Sequence, residues 1–443
     1  MRRRSHETAH SISELPRTLR MRFAIAAMLG MVCVSAMAGT SLSQTSGPPQ
    51  PIIATGAEIL VASRFAAVAG KRVGLVTNHT GRVGGEHLAD LLSKAPNVKL
   101  TAIFAPEHGF RGTAEAGAKV GDGVDAKTGV AVFSLYGASK KPTPRMLRDV
   151  DVLVFDIQDI GARFYTYIST MGLAMQAAAA ARIPFVVLDR PNPLGGDYVS
   201  GFLLEPALRS FVGQYPIPIV HGLTVGELAR MIQGEKWLDG LDGLQLSVIA
   251  MQGWQRSMRW PQTERAWVAT SPNIPTFEAA LVYPGIGIVG ETDVNEGRGT
   301  PTPFSIFGAP WLDGQRLAAR LNTLGLPGVR FDATTYTPQS ISGVATRPRF
   351  EGRKIDGVRV VVTDVARIEP LEIGMHALAA LAAEARSKGS TRLFRKLAMF
   401  HAIAGTKRMH RMLEAGNDGT AIVAAWQTEV AQFKARRARY LLY

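Results

Sequence analysis

The chain has 443 residues, a single cysteine and a formal net charge of +14. One thiol leaves no disulfide framework and no cysteine-ligated zinc, and 46% apolar residues is the share of a globular protein with a core. The basic residues are spread along the chain and form no recognised nucleic-acid motif, so no nucleic-acid partner is expected; what remains is a solvated basic surface or attraction to an anionic wall or acidic glycan.

At the N-terminus, Met21-Arg22 precedes an apolar run, Phe23 to Val34, and Ser35-Ala36-Met37-Ala38 follows it as a small-x-small cleavage pattern. Residues 1–38 read as an export signal, with Met1 to Arg20 either a long n-region or sequence upstream of a start at Met21. The apolar run is too short to stay as an anchor, and Cys33 lies within it without a lipobox. The expected product is exported, periplasmic in a Gram-negative host, with no stable membrane anchor. Removing residues 1–38 takes away six arginines and two glutamates and leaves a formal charge of +10. A Ser/Thr/Gly/Pro/Gln linker spans 39–53. The roughly 400 remaining residues exceed one usual core, so two domains are expected, 54–315 and 316–443.

Beyond the linker, short β-rich runs (Arg72 to Val76, Val98 to Phe104, Val152 to Phe155, Pro184 to Leu188) alternate with helical stretches (Ala57 to Ala67, His87 to Lys94, Thr143 to Asp149, Tyr167 to Ala181). Such alternation predicts an α/β fold with a Rossmann-like, mostly parallel sheet and helices on both faces. A polar cluster follows each strand: Thr77-Asn78-His79, Glu107-His108-Gly109, Asp156-Ile157-Gln158-Asp159 and Asp189-Arg190-Pro191-Asn192. In a parallel sheet all four share the carboxyl edge, where such folds place ligands. No G-x-G-x-x-G follows the first strand and no Walker motif occurs, so no nucleotide is expected. Further on, Thr224 and Glu227 have the spacing of a capping box, a structural reading preferred to catalysis for Glu227. A strand over Val358 to Thr363, an apolar helix over Ile373 to Arg386 and an amphipathic segment over Ala421 to Leu442 predict a smaller C-terminal α+β domain.

Three segments carry candidate chemistry. Glu107, held after an apolar strand and Pro106, suits general acid catalysis; the plain alternative is a loop carboxylate paired with Arg111. Asp156, Gln158, Asp159, Arg163, Tyr165 and Tyr167 crowd one segment after a buried strand, a costly density unless the groups are paired or used. Carboxylates and amides suit sugar hydroxyls, aromatic faces suit pyranose rings, and the planar fork of Arg163 suits a substrate carboxylate. Against that stands a structural Asp–Arg network. The third segment, Glu291 to Phe304, sets Arg298 between Gly297 and Gly299, glycines that serve either a ligand or a turn. His79, His108, Asp156, Asp189 and His221 are the side chains a metal would need. Past residue 38, however, no H-x-x-x-H or H-E-x-x-H spacing pairs two ligands on one helix face, and no G-x-S-x-G elbow occurs; no metal and no cofactor is expected.

In their order along the chain, Gly74-Leu-Val-Thr-Asn-His-Thr-Gly81, Pro106-Glu-His-Gly-Phe-Arg-Gly112, Ser134-Leu-Tyr-Gly137, Phe155-Asp156 through Tyr167, Asp189-Arg-Pro-Asn-Pro193, His221-Gly-Leu-Thr224 and Gly297-Arg-Gly-Thr300 resemble the bacterial exo-β-N-acetylmuramidase family. The resemblance runs from about residue 54 to the carboxyl terminus, with His79 and Asn295 at positions expected to vary. It implies a Rossmann-like catalytic domain with a smaller auxiliary domain, and release of N-acetylmuramic acid from the non-reducing end of peptidoglycan fragments. Arg163 or Arg298 then has a lactyl carboxylate to bind, and Asn78 or Gln158 an acetamido group; His108, Asp159, Tyr165, Tyr167, Asn192 and Glu291 complete the expected binding set. A glycosidase ordinarily needs two carboxyl groups. Glu107 is the expected acid, and Asp156 ranks first for the second role, ahead of Asp159 and Glu291, unless the acetamido group is itself the nucleophile. The rivals are a muropeptide-binding protein without catalysis and a metal-dependent hydrolase or amidase.

Overall fold

In the computed structural model, which describes residues 53–111, 121–137, 139–389, 393, 394 and 396–443, the four apolar runs are strands of one sheet. Strands β1 (Arg72–Thr77), β2 (Lys99–Ala105), β3 (Gly123–Val124), β4 (Ala131–Ser134), β5 (Val152–Asp156), β6 (Phe185–Leu188) and β7 (Leu246–Ile249) lie in the order β3-β4-β2-β1-β5-β6-β7. Every neighbouring pair is parallel except the β3–β4 edge. The chain leaves β1 for β2 on one side and returns to β5 on the other. That puts the switch point between β1 and β5, where Thr77 is in register with Asp156. The expected leader, and all but the last residue of the expected linker, lie outside the described residues.

Side chains along the central strands alternate between two apolar layers, as a sheet covered on both faces requires. Val73, Leu75, Ile103, Val154 and Val186 pack with α1 (Gly56–Ala62) and α2 (Leu88–Lys94). Val76, Phe104, Leu153, Phe155 and Val187 face α3 (Tyr167–Ala181) and α4 (Val225–Gly234). This second layer runs on into α5 (Phe277–Val289) and the smaller C-terminal part. There β8 (Ile306–Ala309), β9 (Val329–Tyr336) and β10 (Ile355–Val362) form an antiparallel sheet in the order β8-β10-β9, with α6 (Gly314–Asn322), α7 (Pro370–Ser387), α8 (Leu397–Ala404), α9 (Arg408–Glu414), α10 (Gly419–Ala424) and α11 (Gln427–Arg437) around it. None of the described helices is long and apolar enough to cross a membrane.

Three element expectations need correction. Helix α1 stops at Ala62, short of Ala67, because Arg64 and Phe65 both take left-handed backbone, which a helix of L-residues does not continue through. The segment 143–149 makes turns instead of a helix, since it has only a few residues before Val152 must enter the sheet. The closing segment is broken into α10, α11 and a final turn.

Helix α4 begins as its capping box predicts. The Thr224 hydroxyl accepts from the Glu227 amide at 3.2 Å, and the Glu227 carboxylate accepts from the Thr224 amide at 3.0 Å. Thr224 also donates to Asp189 Oδ2 at 2.7 Å, which ties α4 to the end of β6. Loss of a cap costs about 1 kcal/mol and the stranded carboxylate adds about as much. Thr224→Ala should therefore lower the unfolding free energy by about 2 kcal/mol in a urea titration, and Thr224→Ser by well under half of that.

Candidate active site at the carboxyl edge

Glu107 leaves the end of β2 through a strained turn. His108 and Gly109 both have left-handed backbone, with φ of 71° and 75°, and holding a histidine there costs about 1–2 kcal/mol. The turn leaves the Glu107 side chain only partly covered. Thr166, the residue before α3, makes no side-chain cap to that helix; its hydroxyl instead donates to Glu107 Oε2 at 2.9 Å. On another side the Tyr136 phenol faces the same carboxylate. Burial, then the charge of Glu107, pushes the Tyr136 phenol up to about 12. Arg111, the partner in the plain alternative to an acid role, turns away to Asp125 and Asp90, at 2.8 and 3.4 Å.

Beside Glu107 lie the residues after β1. Asn78 Oδ1 accepts from the amide and hydroxyl of Thr80 at 3.0 and 2.6 Å, and its buried Nδ2 is left without a partner. The Tyr167 hydroxyl donates to Thr270 O at 2.6 Å and Tyr165 to Thr270 Oγ1 at 2.9 Å, with the two rings edge to face at 4.9 Å. Burial raises both phenols, and Glu107 adds to the effect on Tyr167. His79 stands near His108 and Arg82, and burial lowers its pKa.

The third segment approaches from the C-terminal part. A cavity of about 340 Å³ is lined by Tyr283, Glu291, Glu296, Arg298, Phe304, Arg349 and Lys396, among others. Asn295 organises its loop, donating to the carbonyls of Arg298 and Arg349 at 3.1 and 2.9 Å while accepting from Gly297 N at 2.8 Å. Arg298 pairs with Glu296 at 2.7 Å and stays about one-third exposed. Burial, and then the charge of Glu296, raises the Glu291 carboxyl above its ordinary range. Tyr283 joins this cavity to the sheet edge: its hydroxyl feels the charges of Arg298, Glu107, Glu291 and Glu296. Thus Glu107, Glu291 and Arg298 all act on Tyr283, whose ring meets that of Tyr165 at 5.9 Å, while Asn78, His108, Tyr165 and Tyr167 are buried and line none of this cavity.

Other expected site residues belong to the scaffold. Asp156 is fully buried, with both oxygens on Arg190 at 2.6 and 3.0 Å, so it does not reach a ligand. Arg163 is fully buried and donates to three backbone carbonyls, Phe202 and Ile217 at 2.7 and 2.8 Å and Ile403 at 3.0 Å, so it offers no fork to a substrate. Burial alone brings its pKa down to about 9. Asn192 is spent on Leu223 O and Leu194 N. Asp159 is buried, with Oδ2 accepting from Gly161 N at 2.7 Å and Oδ1 without a partner. Gln158 donates to the carbonyls of Asp159 and Pro191 and lines a separate cavity of about 310 Å³ with Arg82, Arg190 and Trp260. The side chains considered for a metal also disperse: Asp189 accepts from Thr224, Gly226 and Tyr443, and His221 accepts from Leu223 N. Among the described residues, no three His, Cys, Asp or Glu side chains are grouped to hold a metal ion.

Three contributors escaped sequence reasoning. Tyr136 and Thr166 lie inside motifs already singled out, so their positions were visible but their contacts were not. Tyr283 sits in the apolar helix α5, where nothing marks it.

Fold and site together define a doubly wound α/β protein whose carboxyl edge carries a cluster of carboxyl and phenol groups closed over by a C-terminal α+β part. Residues 73–278 match the family described as Exo-beta-N-acetylmuramidase NamZ, N-terminal, and residues 281–443 its C-terminal counterpart; the chain belongs to this family. It is 41% identical over 423 residues to the peptidoglycan beta-N-acetylmuramidase NamZ of Bacillus subtilis (strain 168), covering 94% of this chain and 97% of that one. Two crystal structures of DUF1343 family proteins from Bacteroides fragilis NCTC 9343 are similar throughout. One has a TM-score of 0.81 and 40% identity, over 89% of this chain and 100% of the other; the second has 0.71 and 35%, over 88% and 99%.

Two measurements check the reassigned residues. Arg163→Met strands three buried carbonyls, each costing about 1–3 kcal/mol, so chemical denaturation should show a loss of at least about 3 kcal/mol. Asp159 gives a pH signature, because burial pushes its carboxyl up to about 7 in the folded protein from an ordinary 3.8. The folded state then binds the proton more tightly, so this group's contribution to stability is fully favourable below pH 3.8 and is lost as pH rises through 7. Asp159→Asn should gain on the wild type between pH 4.5 and 8 by at least about 1.4 kcal/mol, one pKa unit; parallel pH profiles would contradict this.

Proposed function

We propose that the protein is an exo-acting glycosidase that releases N-acetylmuramic acid from the non-reducing end of peptidoglycan fragments. Glu107 acts as the general acid and Glu291 as the second carboxyl. One observation carries the reading: Glu107, held by the Thr166 hydroxyl and faced by the Tyr136 phenol, and Glu291, in the adjoining cavity, both act on Tyr283. Family membership and the activity named for the Bacillus relative support the substrate class.

In this reading Glu107 gives its proton to the glycosidic oxygen as the bond from that oxygen to C1 breaks. Positive charge develops at C1 and the ring oxygen, and water completes the hydrolysis after activation by a carboxylate or after attack by the substrate's own acetamido group. Arg298, paired with Glu296 but partly exposed, suits the lactyl carboxylate. The charged substrate also suits a basic chain, and export through residues 1–38 to the periplasm brings the enzyme to the wall.

The test compares a chromogenic β-N-acetylmuramide with its N-acetylglucosamine counterpart, with and without EDTA. Release from the muramide alone and indifference to EDTA are expected. Loss of a general acid costs 10²–10⁴-fold, so Glu107→Gln should lose at least about a hundredfold in kcat, and Glu291→Gln should fall steeply while remaining folded. Release of neither sugar by folded protein would leave a binding protein. Loss of activity in EDTA would point to a metal-dependent hydrolase.

A further inference from the structure

A general acid works on the bond between two sugars, so the leaving sugar must lie against the surface next to that acid. Beside Glu107 stands the half-buried ring of Tyr136. Its ring is extended by a second half-buried ring, Phe211, with centroids 6.3 Å apart and planes inclined at 46°. The exposed Lys140 ammonium stands 4.0 Å from the Phe211 centroid and 6.0 Å from that of Tyr136. Two partly open aromatic rings beside a catalytic carboxyl, topped by a long flexible cation, have no evident packing purpose: Tyr136 and Phe211 come from separate loops and are absent from the buried core.

We propose that Tyr136, Phe211 and Lys140 form the subsite for the leaving sugar, an N-acetylhexosamine ring lying across the aromatic pair. Pyranose C–H faces are apolar and pack on aromatic rings, whereas ring hydroxyls at the edge meet a donor such as the Lys140 ammonium. The cavity around Tyr283, Glu291 and Arg298 holds the sugar to be released, and Glu107 stands where the two subsites meet. Phe211 and Lys140 touch neither the reacting bond nor the released sugar, so they set preference for the leaving group and leave the acid in place. This assignment rests on the muramidase reading, and the test separates the two.

Hydrolysis of a β-1,4-linked N-acetylmuramyl–N-acetylglucosamine disaccharide is compared with that of methyl β-N-acetylmuramide, which has no leaving sugar. In Phe211→Leu, which keeps apolar volume but removes the ring face, the ratio of kcat/KM for the disaccharide to that for the methyl glycoside should fall about tenfold, mostly through KM; a tenfold step corresponds to about 1.4 kcal/mol. Lys140→Ala, an exposed change that leaves the fold intact, should lower the same ratio several-fold. Hydrolysis of the methyl glycoside should stay at the wild-type level in both variants. An unchanged ratio in both variants, or an equal loss on both substrates, overturns the subsite. If the wild type cleaves neither compound, the muramidase reading falls first and takes the subsite with it.

Discussion

The carboxyl edge is organised around a buried ion pair. Asp156 ends the strand at the switch point, and both its oxygens are taken by Arg190 from the loop after β6. Arg190 also donates to Arg82 O, and the Asp156 carbonyl accepts from Thr77 Oγ1. One charge pair therefore ties together the segments that follow β1, β5 and β6. Removing either partner would leave an uncompensated charge in the interior, the costly case for buried pairs. Its contribution is positional: with the loops fixed, Asn78 and Thr80 hold their places at the carboxyl edge.

A second buried charge joins this edge to the C-terminal part. Among the described residues the Arg163 guanidinium is paired with no carboxylate and donates to three carbonyls, one of them at the end of α8. A Cβ on Gly405 would come within 2.2 Å of Arg163 Nη2, so the glycine that ends α8 also makes room for the cation. The Tyr443 hydroxyl similarly donates to Asp189 and accepts from Met251 N, fastening residue 443 beneath the same edge. These buried polar anchors are spent on holding the fold, whereas Glu107, Arg298 and Tyr136 are only partly covered.

The division of labour between the two polar classes follows from desolvation. Burial of an isolated carboxylate favours its neutral form, and Asp159, with one oxygen unpartnered, shows this most clearly. Where a guanidinium is at hand, as for Asp156, both carboxyl oxygens are spent on structure. Glu291 lies between these cases: largely desolvated, pressed by Glu296, yet lining a cavity open to a ligand. Such a carboxyl can change protonation during a reaction cycle.

The amino-acid order by itself determined the parallel sheet, its four adjacent polar loops, the α4 capping box and the placing of Glu107 at a strand's end. These depend on local periodicity and on the rule that parallel strands expose one shared edge. It also marked Asp156 to Tyr167 as a segment where polar groups must be paired or used. Which of those two fates each residue met was decided only by the tertiary structure. Asp156 became structural because Arg190, 34 residues away, reached it. Arg163 became structural because Phe202, Ile217 and Ile403 turned their carbonyls inward, and Glu291 and Glu107 both came to act on Tyr283 because helix α5 carries that ring to the cavity. Hydrogen-bond partners separated by tens or hundreds of residues leave no periodic trace in a chain, and burial, which sets the cost of each charge, exists only after the layers have packed.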